Sequence, residues 1–287
     1  MPAPGDPLPP PPARTADLVE DFGGPLSEAQ WISHYLPQWT TPERSAARHR
    51  SVARGIELRI EEDQPDWRPE DAPLRVSNLQ TGTFSGPLGS PIGTHRHRPD
   101  GVVVRTAVET RLLFAPSAGR VEVEVSASRD LGCMTAVWLV GTEHVDPADA
   151  GEICVFEIDA EAIGPHTRAR TGIKAHGDAR LTTDMAVVSV PVDASRRHTW
   201  TVIWGDGETI IGCEGVIVRV VPQAPDYPLF LMLDLFEVAP PAGRYPKTAL
   251  LHAVRAWEAA PREFGPALRP DRISEGGRAS AAQLAQQ

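Results

Sequence analysis

Apolar and polar residues alternate over several short stretches of the chain. Glu57 and Arg59 separate Ile56, Leu58 and Ile60, and Glu122 and Glu124 separate Val121, Val123 and Val125. A period of two buries one side of an extended segment and wets the other. Further apolar runs at residues 134–140, 185–192, 198–204, 215–221 and 229–236 predict more strands. Between Trp204 and Ile210 the pair Asp206-Gly207 supplies the positive φ angles of a tight hairpin. Many short strands with regular turns predict an all-β sandwich or barrel. Short helical pieces are expected only at residues 27–34 and 249–259. Residues 1–16 are rich in proline and predict an extended, flexible tail. Small and polar residues toward the end predict a second flexible tail over 263–287, leaving one folded domain over 17–262.

Composition then removes several function classes. The net charge of −10 disfavours a nucleic-acid partner, because phosphate backbones are bound by clusters of Lys and Arg. It also gives no attraction to an anionic membrane surface, and no run of about 18 apolar residues predicts a membrane span. Cys133, Cys154 and Cys213 are far apart and form no CxxC pair, so neither a disulfide framework nor a structural zinc site is expected. The first residues lack the basic and apolar regions of a secretory signal. A cytoplasmic protein is expected from the sequence as written, or a secreted one if the true start lies upstream.

Chemistry concentrates in residues 151–158, Gly-Glu-Ile-Cys-Val-Phe-Glu-Ile. In a regular strand Glu152 and Cys154 share a face and Glu157 points away. One bulged residue would bring Glu152, Cys154 and Glu157 to the same side. Their backbone separation would be roughly 13 Å, yet on a concave sheet long side chains can converge. Retaining glycosidases need two carboxyl groups about 5–5.5 Å apart. A solvated strand face is the simpler reading of two glutamates taken alone.

The surrounding segments shift that balance. Gly151-Glu152-Ile153-Cys154-Val155-Phe156-Glu157 resembles the signature strand of glycoside hydrolase family 16, with Cys154 where that family has aspartate. Gly119-Arg120-Val121-Glu122-Val123, Ala136-Val137-Trp138-Leu139-Val140, His198-Thr199-Trp200 with Trp204, and Leu231-Met232-Leu233-Asp234-Leu235 resemble flanking strands in the same order. The resemblance covers roughly residues 30–258. It implies a two-sheet antiparallel β-sandwich, a concanavalin A-like jelly roll. It also implies a retaining hydrolase or transglycosylase acting on a β-linked poly- or oligosaccharide. Glu152 would be the nucleophile and Glu157 the acid and then the base. Trp138 would stack on a sugar, Trp200 and Trp204 would line the cleft or pack in the core, and His176 would bind a hydroxyl or tune Glu157.

Cys154 modulates these expectations. A neutral thiol cannot replace the aspartate's charge, so weakened catalysis and a more acidic pH optimum are expected. A glycan-binding protein without turnover is the alternative, and a sandwich module with no sugar ligand is a third. A rival register, Glu157-Ile158-Asp159-Ala160-Glu161, would pair Glu157 with Glu161. No catalytic metal and no cofactor is expected. Many members of the family carry a structural calcium, but no ligand set for it stands out here. Glu152, Cys154 and Glu157 make only a weak metal set, and His95-Arg96-His97-Arg98 reads as a solvated loop. A monomer is expected.

Overall fold

The computed structural model describes residues 2–98 and 100–259. In chain order its strands are β1 (Leu18–Glu20), β2 (Arg48–Val52), β3 (Gly55–Ile60), β4 (Arg75–Gln80), β5 (Gly82–Thr83), β6 (Arg111–Leu112), β7 (Gly119–Ser126) and β8 (Cys133–Gly141). They continue as β9 (Glu152–Asp159), β10 (Thr167–Lys174), β11 (Asp184–Val190), β12 (His198–Gly205), β13 (Glu208–Cys213), β14 (Val216–Val221), β15 (Leu229–Glu237) and β16 (Lys247–Glu258). Two antiparallel sheets stack as a sandwich. One runs β14-β13-β12-β7-β16-β3-β2, with β1 paired to β16, and the other runs β11-β10-β9-β8-β15-β4. The short pair β5-β6 stands apart.

The alternating positions account for the core. Val121, Val123, Val125, Trp200, Val202 and Trp204 face inward from the first sheet. Val137, Leu139, Ile153, Ile158, Leu231, Leu233 and Leu235 meet them from the second. The intervening residues of the second sheet, including Ala136, Trp138, Cys154, Met232 and Phe236, form its outer face. Tyr35, Leu36, Trp39, Trp67, Val102 and Val104, from the connecting segments, pack over part of it. This covered outer face carries the glutamate strand. The Asp206-Gly207 hairpin has the expected left-handed backbone, with φ of 49° and 77°.

Several expectations change. Residues 249–258 are strand, not helix: β16 is hydrogen-bonded to both β7 and β3, and that pairing overrides the local run of Ala and Leu. Residues 27–34 make a single turn, in which Gln30 and Trp31 donate to Ser27 O, and then pair in isolated bridges at Ile32 and His34. Residues 2–16 depart from a free tail. Gly5 N donates to Ile217 O and Leu8 N to Gly215 O, which lays the segment along β14. The C-terminal tail expected at 263–287 lies outside the described residues. Among those described, no helix is long and apolar enough to cross a membrane.

Trp200 and Trp204 require a correction. Their shared parity is right, but it turns them into the core between the sheets, on β12 of the sheet that does not carry the glutamates. Trp200 packs on Phe156 with ring centroids 4.8 Å apart, and Trp204 Nε1 donates to Ser117 O. Neither lines the cleft. Trp200→Ala is therefore expected to cost about 3–5 kcal/mol of stability. Urea unfolding should register that loss, while substrate KM of the folded variant stays unchanged.

Candidate active site

The glutamates share a face because β9 bulges at Val155. On β8, Val137 pairs with Phe156 and Trp138 with Cys154, so Val155 is the extra residue. On the other side Arg170 pairs with Glu157 and Gly172 with Cys154, and the register shifts at the same level. Val155 and Phe156 both reach the inner core, and Glu152, Cys154 and Glu157 all turn outward. Two glycines permit this packing. A Cβ on Gly151 would collide with Leu181 and the Tyr227 hydroxyl, and one on Gly172, where φ is +142°, would collide with Asp184 O.

The carboxylate oxygens of Glu152 and Glu157 and the Cys154 sulfur all lie within 4.8 Å of one another. All three residues are buried. Two cations come from directly opposite positions on β10, Lys174 across from Glu152 and Arg170 across from Glu157. Lys174 Nζ bridges the pair, 2.9 Å from Glu152 Oε1 and 2.6 Å from Glu157 Oε1. Arg170 Nε donates to Glu157 Oε2 at 2.8 Å, and its terminal nitrogens hold Asp159. His176 Nε2 lies 2.8 Å from Glu152 Oε2. His176 therefore contacts Glu152 rather than Glu157.

Electrostatics follow from these contacts. Burial alone would raise the Glu152 carboxyl, but the His176 hydrogen bond and the charge of Lys174 outweigh it and hold it at about 2. Glu152 is thus ionised at any working pH. Burial disfavours the charged Lys174 ammonium, yet the neighbouring carboxylates raise its pKa above the ordinary lysine value. Burial, with Glu157 and Glu152 adding to it, pushes the Cys154 thiol well above its usual value. Cys154 is a neutral thiol that donates weakly to Arg170 O at 3.6 Å.

Trp138 lies on the same face, with Lys174 Nζ 5.1 Å from its ring centroid and Phe236 5.3 Å away. Its ring is next to the Cys154 thiol, toward which its indole N–H is directed. Glu161 sits past the end of β9, in a 3-10 turn, where it accepts from Gly132 N. It does not join the cluster of Glu152, Cys154 and Glu157.

His95 is the residue the sequence reading missed. Its loop is not simply solvated: the His95 side chain is 9% exposed and Nδ1 lies 3.9 Å from Glu152 Oε2. Glu143 anchors it by accepting from His95 N at 2.5 Å. A groove of about 490 Å³, lined in part by Ile92, His95, Glu143, Ala150 and His176, leads outward from this point. Of the calcium expectation, nothing is assigned. Among the described residues, the two groups of His, Cys and carboxylate side chains close enough to share an ion both lie here and include His or Cys, unlike the oxygen shell calcium takes.

Burial pushes His95 down to about 4 from 6.5. Its neutral form is the one the fold accommodates. That contribution to stability is complete above pH 6.5 and is lost as pH falls toward 4. Glu143, raised by burial to about 7, acts in the opposite sense, losing its contribution as pH rises. Comparing Tm against pH for the wild type and His95→Asn isolates the histidine: the variant should lose less stability between pH 6.5 and 4.

Residues 104–238 match the family model described as glycosyl hydrolases family 16. A comparison with curated proteins finds no match. Among solved structures, the chain is similar to a GlcNAcα1-4Gal releasing endo-β-galactosidase from Clostridium perfringens, with a TM-score of 0.73 and 21% identity. That match covers 87% of this chain and 65% of the other, so the chain spans under two thirds of that protein. The β-glucanase of Bacillus licheniformis matches with a TM-score of 0.58 and 13% identity over 86% of this chain and all (100%) of its own. A Crh5 transglycosylase matches at 0.55 and 16%, over 89% and 90%.

Proposed function

The chain carries a family 16 glycosyl hydrolase domain, and we propose that it cleaves β-linked glycans with retention, using Glu152 as nucleophile and Glu157 as acid and then base. One observation carries the assignment. The Val155 bulge brings one oxygen of each carboxylate within 4.8 Å of the other, which is compatible with the roughly 5–5.5 Å carboxyl spacing that double displacement uses. Glu152 attacks the anomeric carbon and the glycosidic C–O bond breaks as Glu157 gives the departing oxygen a proton. Water then attacks the glycosyl-enzyme while Glu157 takes the proton back. A sugar hydroxyl in place of that water makes the same reaction a transglycosylation. Trp138, on the same face of the sheet, is the aromatic ring available to stack on the bound sugar. No metal or cofactor enters these steps.

A specific observation favours a second reading, glycan binding with little turnover. Both Glu157 oxygens already receive cationic donors, Arg170 at 2.8 Å and Lys174 at 2.6 Å. An acidic proton finds a place only when one of them moves. Reducing-sugar release from a panel of β-glucans and β-galactans separates the readings, galactans being included because the similar Clostridium enzyme is an endo-β-galactosidase. A 2-fluoro glycoside should label Glu152, as read by peptide mass spectrometry. Saturable binding with neither release nor label overturns the hydrolase reading in favour of the second.

A further inference from the structure

The geometry points to a site for a divalent transition-metal ion of the zinc type, formed by His95 Nδ1, His176 Nε2 and Glu152 Oε2 at the inner end of the groove. One ligand atom from each of the three residues lies within 4.8 Å of the other two. The carboxylate oxygen is 2.8 Å from His176 and 3.9 Å from His95. Tetrahedral zinc with bonds of about 2.0–2.1 Å places its ligand atoms about 3.3 Å apart. The two carboxylate–imidazole distances bracket that value, and the two imidazoles are within 4.8 Å, so modest side-chain movements bring the three ligands to one ion. Two imidazoles and one carboxylate are a donor set that suits zinc and neighbouring metals, while hard cations such as calcium take all-oxygen shells.

Backbone conformation helps to place both rings. His95 and His176 come from loops far apart in sequence, and both have left-handed φ, 53° and 51°. Residues other than Gly seldom adopt this region, although His does so more readily than most, and where they do the surrounding structure holds them there. Here Glu143 holds the His95 backbone. Hydrogen bonds from Gly177 N and Asp178 N to Ala175 O close the turn carrying His176. Two unusual backbone positions thus aim two imidazoles at one oxygen. The rings pack edge to face, with centroids 4.9 Å apart.

Charge balance permits the ion. Lys174 binds the opposite oxygen, Glu152 Oε1, and also Glu157, so it can remain cationic while Oε2 turns to the metal. It lowers the affinity relative to a site with no cation nearby. The His176 proton that faces Glu152 moves to the other ring nitrogen. The groove leaves the fourth ligand position open to water. An ion there occupies the carboxylate proposed as nucleophile and so blocks turnover; only this consequence rests on the proposed function.

Calorimetric titration of the chelator-treated full chain with zinc chloride tests the site, with cobalt(II) absorption reporting coordination. One ion per chain and a four-coordinate cobalt spectrum are expected. His95→Asn and His176→Asn, which tolerate the left-handed backbone, should each weaken binding by roughly tenfold or more. His166→Asn, at an exposed histidine elsewhere, should leave binding unchanged. Circular dichroism checks that each variant is folded. No binding, or binding indifferent to both cleft histidines, overturns the proposal. Zinc binding that needs both histidines in a protein that cleaves no glycan leaves the site standing and removes only the hydrolase reading. Glycan cleavage that zinc neither inhibits nor accompanies with binding removes the site alone.

Discussion

Glu152→Gln is expected to lower glycan cleavage by roughly a thousandfold or more, because it removes the atom that forms the covalent intermediate. Glutamine keeps the shape and one hydrogen bond to His176 but cannot form a stable glycosyl ester. Glu157→Gln should also suppress cleavage of natural glycans, by about 10²–10⁴-fold, the usual contribution of a positioned acid and base. The two losses differ in kind. A substrate with an acidic leaving group needs no proton, so formation of the glycosyl-enzyme should survive in Glu157→Gln and stay absent in Glu152→Gln. Glu161→Gln should keep near wild-type turnover, since Glu161 is tied to Gly132 N outside the cluster. Steady-state rates on polysaccharide and on an aryl glycoside check all three. Equal loss in Glu161→Gln would transfer the chemistry to the rival register.

Lys174→Met carries the second large effect. The wild-type ammonium lies between two buried carboxylates whose oxygens approach within 4.8 Å. Methionine fills similar volume and removes the charge. Leaving buried carboxylates without that partner costs several kcal/mol in comparable cases, here roughly 3 kcal/mol, visible in urea unfolding. The loss should shrink at acid pH, where the carboxyls take up protons instead of facing each other as anions. Catalysis should respond in the opposite sense. With the cation gone the pair retains a proton to higher pH, so the alkaline limb of the kcat/KM profile moves upward. A pH–rate profile that does not move would mean that Lys174 plays no part in setting the proton on the acid.

Much of this arrangement was legible from residue order alone. Period-two alternation at Val121–Val123–Val125 and the apolar run at residues 229–236 marked strands that the structure contains. The glutamate spacing demanded one extra residue, and Val155 provides it. Parity showed that Trp200 and Trp204 share a face with Val202 but not whether that face meets the other sheet or a bound sugar, because an aromatic ring suits either. The reading of residues 249–259 as helix failed for a related reason. Ala and Leu favour helices locally, while the register with β7 and β3 is set by partners more than a hundred residues away. His95 and Lys174 were out of reach. Lys174 meets Glu152 through a cross-strand register that pattern alone does not give. The path of a loop brings His95 to the same carboxylate from 57 positions earlier, and a histidine with positive φ leaves no mark in composition.

The chain's first residues determine where the larger sheet stops. Beside β14, Pro7 pairs with Val216, and Ile217 N donates to Asp6 O. Leu8 packs over the outward side of Ile203, Ile210 and Ile217. An open strand edge is a template on which another molecule can add its own backbone. Here that edge is met by a segment rich in proline, whose residues lack the N–H needed to recruit a further strand. Deleting residues 2–9 would uncover both the edge and its apolar patch, converting a terminated sheet into one able to grow between molecules.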